Sequence, residues 1–328
     1  MAEGKSKMSQ NRKSHRKEDN PEFIKISAMT VCAIIAALIL IIFLNWIVVN
    51  LLNPEQPDEP SVSDSDVSDT DFTPLSFVHF INVGQGDSEL IVADDGSAML
   101  IDCGESEYGE VVLDYLNNIG ISRLDYIVAT HPHSDHIGGI RKILSSGIEV
   151  GTVIAPKIPD EFTPTTKSYE KFLTAVDKNG CALKSAKNES FDFGSGRITI
   201  MASDYEGDNM NNYSVAVMFE QGQNSFLFTG DIEKEAEASL VERCSDSLNA
   251  DVLKVAHHGS STSSSFAFLD AVRPQYCVIE CGDSSYNHPN PDIVDRLLMY
   301  TKNIYRTDAH GSVVFSVSND ELRIETEN

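Results

Sequence analysis

Thr130-His131-Pro132-His133-Ser134-Asp135-His136-Ile137-Gly138-Gly139 is the stretch on which the reading of this chain turns. Three imidazoles and a carboxylate fall within six residues, directly after the apolar run Tyr126-Ile127-Val128-Ala129. The donor groups therefore emerge where a strand ends. Nitrogen and oxygen donors at this density suit a borderline cation such as zinc. A merely solvated His-rich loop is the plain alternative. It fits poorly, because the whole chain holds nine histidines and three of them crowd here. The glycine pair then lets backbone approach closely as the loop passes into a helix.

Outward from this loop, short apolar runs at 77–82, 89–93, 98–102 and 125–130 read as strands. Residues 108–118 have helical spacing that stops at Gly120. A second set of strands is expected at 198–202, 214–219, 225–228, 252–256, 276–280 and 313–317. Further helices are expected over 168–177, 234–244, 267–272 and 292–300. Two strand-rich halves with helices between them predict an α/β fold of two packed sheets flanked by helices. No internal repeat is visible.

The chain has 328 residues and a formal net charge of -25, unevenly spread. Residues 1–25 form a basic tail, expected in the cytoplasm. Residues 26–52 are expected to form one N-terminal transmembrane helix, since no charge interrupts 26–44 and about 20 apolar residues span a bilayer core. A cleavable leader would have a shorter apolar core and a small-x-small end, whereas this one ends Asn45-Trp46-Ile47-Val48-Val49-Asn50. Residues 53–72 are rich in Pro, Ser and Asp and read as a disordered acidic linker. Residues 73–328 are the expected catalytic domain, placed outside the cytoplasm by the positive-inside rule. Its acidity disfavours stable nucleic-acid binding, although cations at a site supply local positive charge. No protein partner can be read from the sequence. The domain's five cysteines are odd in number and contain no C-x-x-C pair, so no disulfide framework is expected.

Six ordered blocks carry a family resemblance: Asn82-Val83-Gly84-Gln85-Gly86-Asp87, Leu100-Ile101-Asp102-Cys103-Gly104, the His-rich loop, Asn212-Tyr213-Ser214, Phe228-Thr229-Gly230-Asp231, and Leu253-Lys254-Val255-Ala256-His257-His258-Gly259-Ser260. Together, over residues 75–320, they resemble the metallo-β-lactamase superfamily. They look most like the hydrolase domain of ComEC-type competence proteins and its stand-alone relatives. The resemblance implies a four-layer αβ/βα sandwich with two cation sites, filled by zinc or alternatively manganese. It implies His131 and His133 on one cation, Asp135 and His136 on the other, and Asp231 bridging them. Taken alone, Asp231 would equally suit an ordinary turn.

His257 and His258 close the second half of the site. Alternation along a strand over 252–256 makes their rings diverge, which favours His258 as a ligand and leaves His257 to contact substrate or donate a proton. Many members of the superfamily carry another histidine between the loop and the bridging Asp. None occurs here from Ile137 to Gly230, so Asn212 and Ser214 are candidates to bind substrate or water there. Asp102 is placed to orient a metal-binding imidazole, and Asp87 follows a turn that meets the cleft; each could equally be a turn-stabilising Asp. His288, in Tyr286-Asn287-His288-Pro289, matches a His-Pro element of the relatives and is a candidate to hold the leaving group, or else a plain turn histidine. His79 alternates with core residues and reads as structural. The expected activity is metal-dependent hydrolysis, of phosphodiesters or nucleic acid, through a metal-activated hydroxide. Catalytic roles fall to Asp135, Asp231, His257 and His288. Hydrolysis of another ester (a phosphocholine or a lactone) and a non-catalytic binding or regulatory role are the alternatives.

Overall fold

The computed structural model describes residues 73–318 and 321–328. The expected basic tail, transmembrane helix and linker lie outside them. Among the described residues no helix is long and apolar enough to cross a membrane.

Two mixed sheets form the body. The first has eight strands: β1 (Ser76–Phe80), β2 (Glu89–Val92), β3 (Ala98–Ile101), β4 (Arg123–Val128), β5 (Glu149–Ala155), β6 (Ala182–Ser185), β14 (Val313–Val317) and β15 (Leu322–Thr326). Their spatial order is β15-β14-β1-β2-β3-β4-β5-β6. The second has seven: β7 (Glu189–Phe193), β8 (Gly196–Met201), β9 (Ala216–Gln221), β10 (Asn224–Phe228), β11 (Val252–Lys254), β12 (Tyr276–Ile279) and β13 (Asn303–Arg306), ordered β13-β12-β11-β10-β9-β8-β7. In each sheet one flank is antiparallel and the other parallel: β3 to β6 in the first, β10 to β13 in the second.

Period-two alternation sorts the side chains. Val78, Phe80, Met99 and Ile101 meet Phe219, Phe226, Phe228 and Val278 in a core between the sheets. The alternate residues Leu90, Leu100, Ile127 and Val153 pack outward beneath the helices α1 (Gly109–Asn118), α3 (Ile140–Leu144) and α4 (Lys167–Asn179). On the far side Leu227, Leu253, Cys277 and Ile279 pack beneath α5 (Lys234–Cys244), α6 (Phe266–Val272) and α7 (Pro291–Leu297). The layers run helix, sheet, sheet, helix. Each large apolar side chain buried in this way stabilises the fold by about 1.5–3 kcal/mol.

The strands anticipated from apolar runs are present within a few residues of their expected ends. Five were not anticipated: β5, β6, β7, β13 and β15. β6 is exposed along its whole length, while β7 and β15 offer the core only alternate side chains, Phe191 with Phe193 and Leu322 with Ile324, too few for a continuous apolar run. The cysteines at 103, 181, 244, 277 and 281 are free.

Candidate metal centre

The parallel flanks place the chemistry. Asp102 follows β3, the His-rich loop follows β4, Asp231 follows β10, His257 and His258 follow β11, and Glu280 follows β12. All five segments leave the C-terminal ends of strands that run parallel, where open α/β sheets form their crevices. The loop enters the short helix α2 (Ser134–Ile137), which Gly138 and Gly139 seat against neighbouring backbone. A Cβ at Gly139 would lie 2.1 Å from the Cys103 carbonyl oxygen, so only glycine fits.

Asp231 Oδ2 is the hub. It lies 3.2 Å from His136 Nε2, 3.5 Å from His258 Nε2, 3.8 Å from His257 Nε2 and 3.9 Å from His131 Nε2. Asp135 Oδ2 is 3.4 Å from His258 Nε2, and His133 Nδ1 is 3.0 Å from His131 Nε2. The structure thus brings together Asp231, both histidines at 257–258 and all four donors of the 131–136 loop.

Behind these atoms, oxygen partners set the rings. Asp102 Oδ2 is 2.7 Å from His136 Nδ1, while its carboxylate also accepts from the backbone N–H and hydroxyl of Thr130. Thr130 Oγ1 is 3.2 Å from His131 Nδ1. His258 Nδ1 donates to the Glu280 carbonyl at 3.0 Å and faces Asp87 Oδ1 at 3.2 Å. Each ring is held through Nδ1 so that Nε2 points at Asp231.

The electrostatics describe a site built for positive charge. Burial alone would lower His136 and His258, yet the carboxylates around them outweigh it: Asp231, Asp87, Asp102 and Asp135 hold His136 well above its ordinary value. Asp231 and Asp87 lead in raising His258 to about 10. His131, with burial dominant and His136 beside it, is held well below the usual imidazole value. Burial would raise Asp231, but His136 and His258 pull it well below the carboxylate range. Four buried polar atoms here, His136 Nε2, His258 Nε2, Asp231 Oδ1 and Asp87 Oδ1, have no hydrogen-bond partner. Such orphans are costly unless a cation or solvent satisfies them, and Asp87, His136, Asp231 and His258 can converge on one ion. Imidazole and carboxylate donors fit a divalent transition metal.

Two expectations need correction. His257 and His258 do not diverge. β11 ends at Lys254, and both residues adopt left-handed backbone, each with φ of 52°, which turns both rings inward. Asn212 and Ser214 do not face the cleft either. Asn212 Oδ1 accepts from the backbone N–H of Glu233 at 2.9 Å, and Ser214 Oγ accepts from that of Asp231 at 3.1 Å. They brace the turn that carries the hub, while Asn211 lines the cavity instead.

That cavity, about 360 Å³, is lined by His133, Asp135, Asp231, His257, His258 and His288 among others. His288 sits at its rim, stacked between His258 and the exposed Tyr286. Burial, with His258 and His257 adding, pushes its imidazole down to about 4, so it is neutral at pH 7. His79 is buried and its Nδ1 pairs with the Tyr115 hydroxyl at 2.9 Å, far from the cleft chemistry.

Several residues escaped the sequence reading. Lys254 is fully buried with its ammonium on Asp87 Oδ2. Glu89 and Glu280 are buried beside it, and burial raises both, Glu280 to about 7. Their signal was present: a charged residue inside an apolar strand run, as in Leu253-Lys254-Val255 and Ile279-Glu280-Cys281. Glu233, two residues past the hub, lies 3.4 Å from His257 Nδ1.

The metallo-beta-lactamase superfamily profile matches residues 81–279, more than half of the chain. ComE operon protein 3 of Bacillus subtilis is 30% identical over 262 residues, covering 74% of this chain and 33% of its own length. Competence protein ComA of Neisseria gonorrhoeae is 30% identical over 249 residues, 74% of this chain and 33% of its own. The chain therefore spans about a third of the length of the curated relatives it matches. Among solved structures, the diiron beta-hydroxylase CmlA of Streptomyces venezuelae shares the fold, with a TM-score of 0.51 at 13% identity over 75% of this chain and 55% of its own. On the profile match and the convergence at Asp231, the chain belongs to the metallo-β-lactamase superfamily, and over that domain it is similar to ComEC-type competence proteins.

Proposed function

We propose that this chain is a membrane-anchored, metal-dependent phosphodiesterase or nuclease whose catalytic domain works outside the cytoplasm. The carrying observation is the hub: four imidazole Nε2 atoms within 4 Å of one oxygen of a buried carboxylate, open to a cavity on one side. On this reading His131 and His133 hold one cation, Asp135, His136 and His258 hold the other, and Asp231 serves both. Zinc suits this donor set, with manganese the alternative.

Bound divalent cations acidify a water toward roughly neutral pKa and neutralise charge that develops on phosphoryl oxygens. The chain's own residues do the rest. Asp231 fixes the spacing of the two halves, and Asp102 locks His136 in one tautomer. Asp135 helps close the ligand shell beside His258. His288, neutral at the rim, offers a ring N–H to the leaving oxygen. The preference for phosphodiesters rests on similarity to the competence proteins. The acidic domain suits brief contact with nucleic acid better than stable binding. The apolar run 26–52 supplies the anchor, with the basic tail inside and 53–72 as tether.

The test is turnover by the full chain in detergent, loaded with zinc or manganese. The expected result is hydrolysis of bis-p-nitrophenyl phosphate or single-stranded oligonucleotide, strongly reduced by His133→Ala and by Asp231→Asn. Preferential hydrolysis of carboxyl esters would favour the other-ester reading. Tight metal binding without turnover of any ester would favour a binding module. Protease protection in sealed vesicles checks the orientation: digestion of the domain from the cytoplasmic face would refute it.

A further inference from the structure

Basic side chains are spread over the domain in a pattern that the metal centre does not account for. Residues 141–187 hold eight Lys and Arg against five Asp and Glu, while the rest of 73–328 holds ten against thirty-four. Elsewhere most basic side chains are tied to carboxylates, as Arg123 is to Asp125, Arg197 to Asp192, Lys254 to Asp87 and Arg306 to Asp308. Within 141–187 Lys142 pairs with Glu110, and the other seven form no ion pair among the described residues. Unpaired charge gathered in one stretch of an acidic domain makes a local positive field.

The fold collects part of that charge into a groove that starts at the cleft. One wall is the run α2–α3, residues 134–144, and the other is α4 (Lys167–Asn179), which packs against both. At the near end of the walls Ser134, Thr166 and Ser168 line the cavity of the metal centre. At the far end Asn179 Nδ2 donates to the Leu144 carbonyl at 2.8 Å. The two walls therefore leave the cavity side by side. Between them lies a groove of about 710 Å³, lined by Arg141, Lys171 and Lys178, with Glu170 its one acidic side chain. Ser168, Lys171, Ala175 and Lys178 follow at intervals of three and four, so they share one face of α4. Ala175 is buried in the floor, and the three cations stay exposed. Ten residues of helix carry this face about 15 Å from the cavity rim.

We propose that the groove between α3 and α4 binds the sugar–phosphate backbone of a single-stranded nucleic acid as it leaves the catalytic cavity. Arg141, Lys171 and Lys178 stand where successive phosphates pass, and each neutralises one. Contacts of this kind position a strand without reading its sequence. The remaining surface of the domain is negative and repels the strand, so this track steers it and keeps the contact brief. The occupant is one strand and not two. Packed helices stand about 8–10 Å apart, whereas the major groove of a duplex alone is about 12 Å wide.

This role rests on the phosphodiesterase reading and narrows its substrate to a polymer. The test compares the full chain in detergent with the double variant Lys171→Gln/Lys178→Gln, which alters two exposed side chains and leaves the cleft intact. On an oligodeoxynucleotide of about 12 nucleotides, within the span of single-strand sites, the variant should raise KM about 10-fold with kcat unchanged. The slope of log KM against log salt should fall by about 1.4, or about 0.7 per charge removed. Turnover of bis-p-nitrophenyl phosphate, too short to reach the groove, should not change. An oligonucleotide KM and salt slope equal to wild type overturn the proposal, and so does an equal loss on both substrates. If wild type hydrolyses no phosphodiester, the functional reading fails and binding decides the groove by itself. Fluorescence anisotropy of the labelled oligonucleotide, in EDTA at low salt, should then show affinity about 10-fold weaker in the variant, and equal affinity overturns the groove. Loss of binding to phosphatidylglycerol vesicles with oligonucleotide affinity intact also overturns it, and assigns the groove to a membrane surface.

Discussion

The two sides of the hub are built to different standards. On the His136/His258 side both rings are buried, lie 3.2 and 3.5 Å from Asp231 Oδ2, and are backed by Asp102, Asp87 and the Glu280 carbonyl. On the other side His131 and His257 stand 3.9 and 3.8 Å from the same oxygen, His133 is exposed, and the neighbouring groups are Thr130, beside His131, and a partly exposed Glu233, beside His257. The tight side is a structural anchor for charge as much as a chemical one. The cavity reaches both sides, with His133 and His257 on one and Asp135 and His258 on the other. Close backing by oxygen groups thus belongs to one half of the hub, and solvent exposure to the other.

The largest effect is expected where the sides meet. Asp231→Asn removes the shared charge and should lower phosphodiester turnover by about 1000-fold while weakening both cations. A variant that lost only one equivalent would break the idea of a common hub. Lys254→Met should cost about 3–5 kcal/mol in denaturant unfolding, because it leaves Asp87 and its buried acidic neighbours without their cation. Unchanged stability would show that the tight side does not depend on that ammonium. Asp102→Asn should weaken one cation by about 10–100-fold and spare the other. Graded chelation should sharpen the contrast by removing one equivalent first. Simultaneous loss of both would contradict the asymmetry.

The smallest effect at neutral pH comes from His79, outside both sides. Burial depresses its imidazole from 6.5 to about 4, so the folded protein keeps it neutral. Its contribution is whole above the unfolded value and is lost as pH falls from about 6.5 toward 4. The loss approaches about 3 kcal/mol. His79→Gln should flatten the fall of stability across that window, measured by urea unfolding at pH 7 and pH 5. An unaltered slope would move the acid sensitivity elsewhere.

Legibility in the sequence followed the same division. The 131–136 loop could be read because its donors are neighbours in the chain and sit on a strand end. The near-continuous apolar runs of β1, β3 and β10 report burial on both faces, and those strands appear where the runs place them. β6 was invisible because an edge strand exposed along its whole length has no apolar run, and β15 because it offers the core only the alternate pair Leu322 and Ile324. The inward turn of His257 and His258 was invisible for another reason. Extending strand alternation to residue 256 assumes ordinary backbone, and the left-handed pair after Lys254 is a tertiary choice. Lys254, Glu89 and Glu280 were legible in principle, as charges stranded in apolar runs.

β14 pairs with β1 on one edge and β15 on the other, so the first strand of the domain completes its ladder against residues 313–317. During synthesis, β1 waits with an unsatisfied edge while the intervening residues are made. A nascent domain cannot seal its first sheet until that late hairpin arrives, and a product truncated before residue 313 would expose a sticky border. Completion of the first sheet is therefore tied to the synthesis of residues 313–317, not to the appearance of the histidine loop.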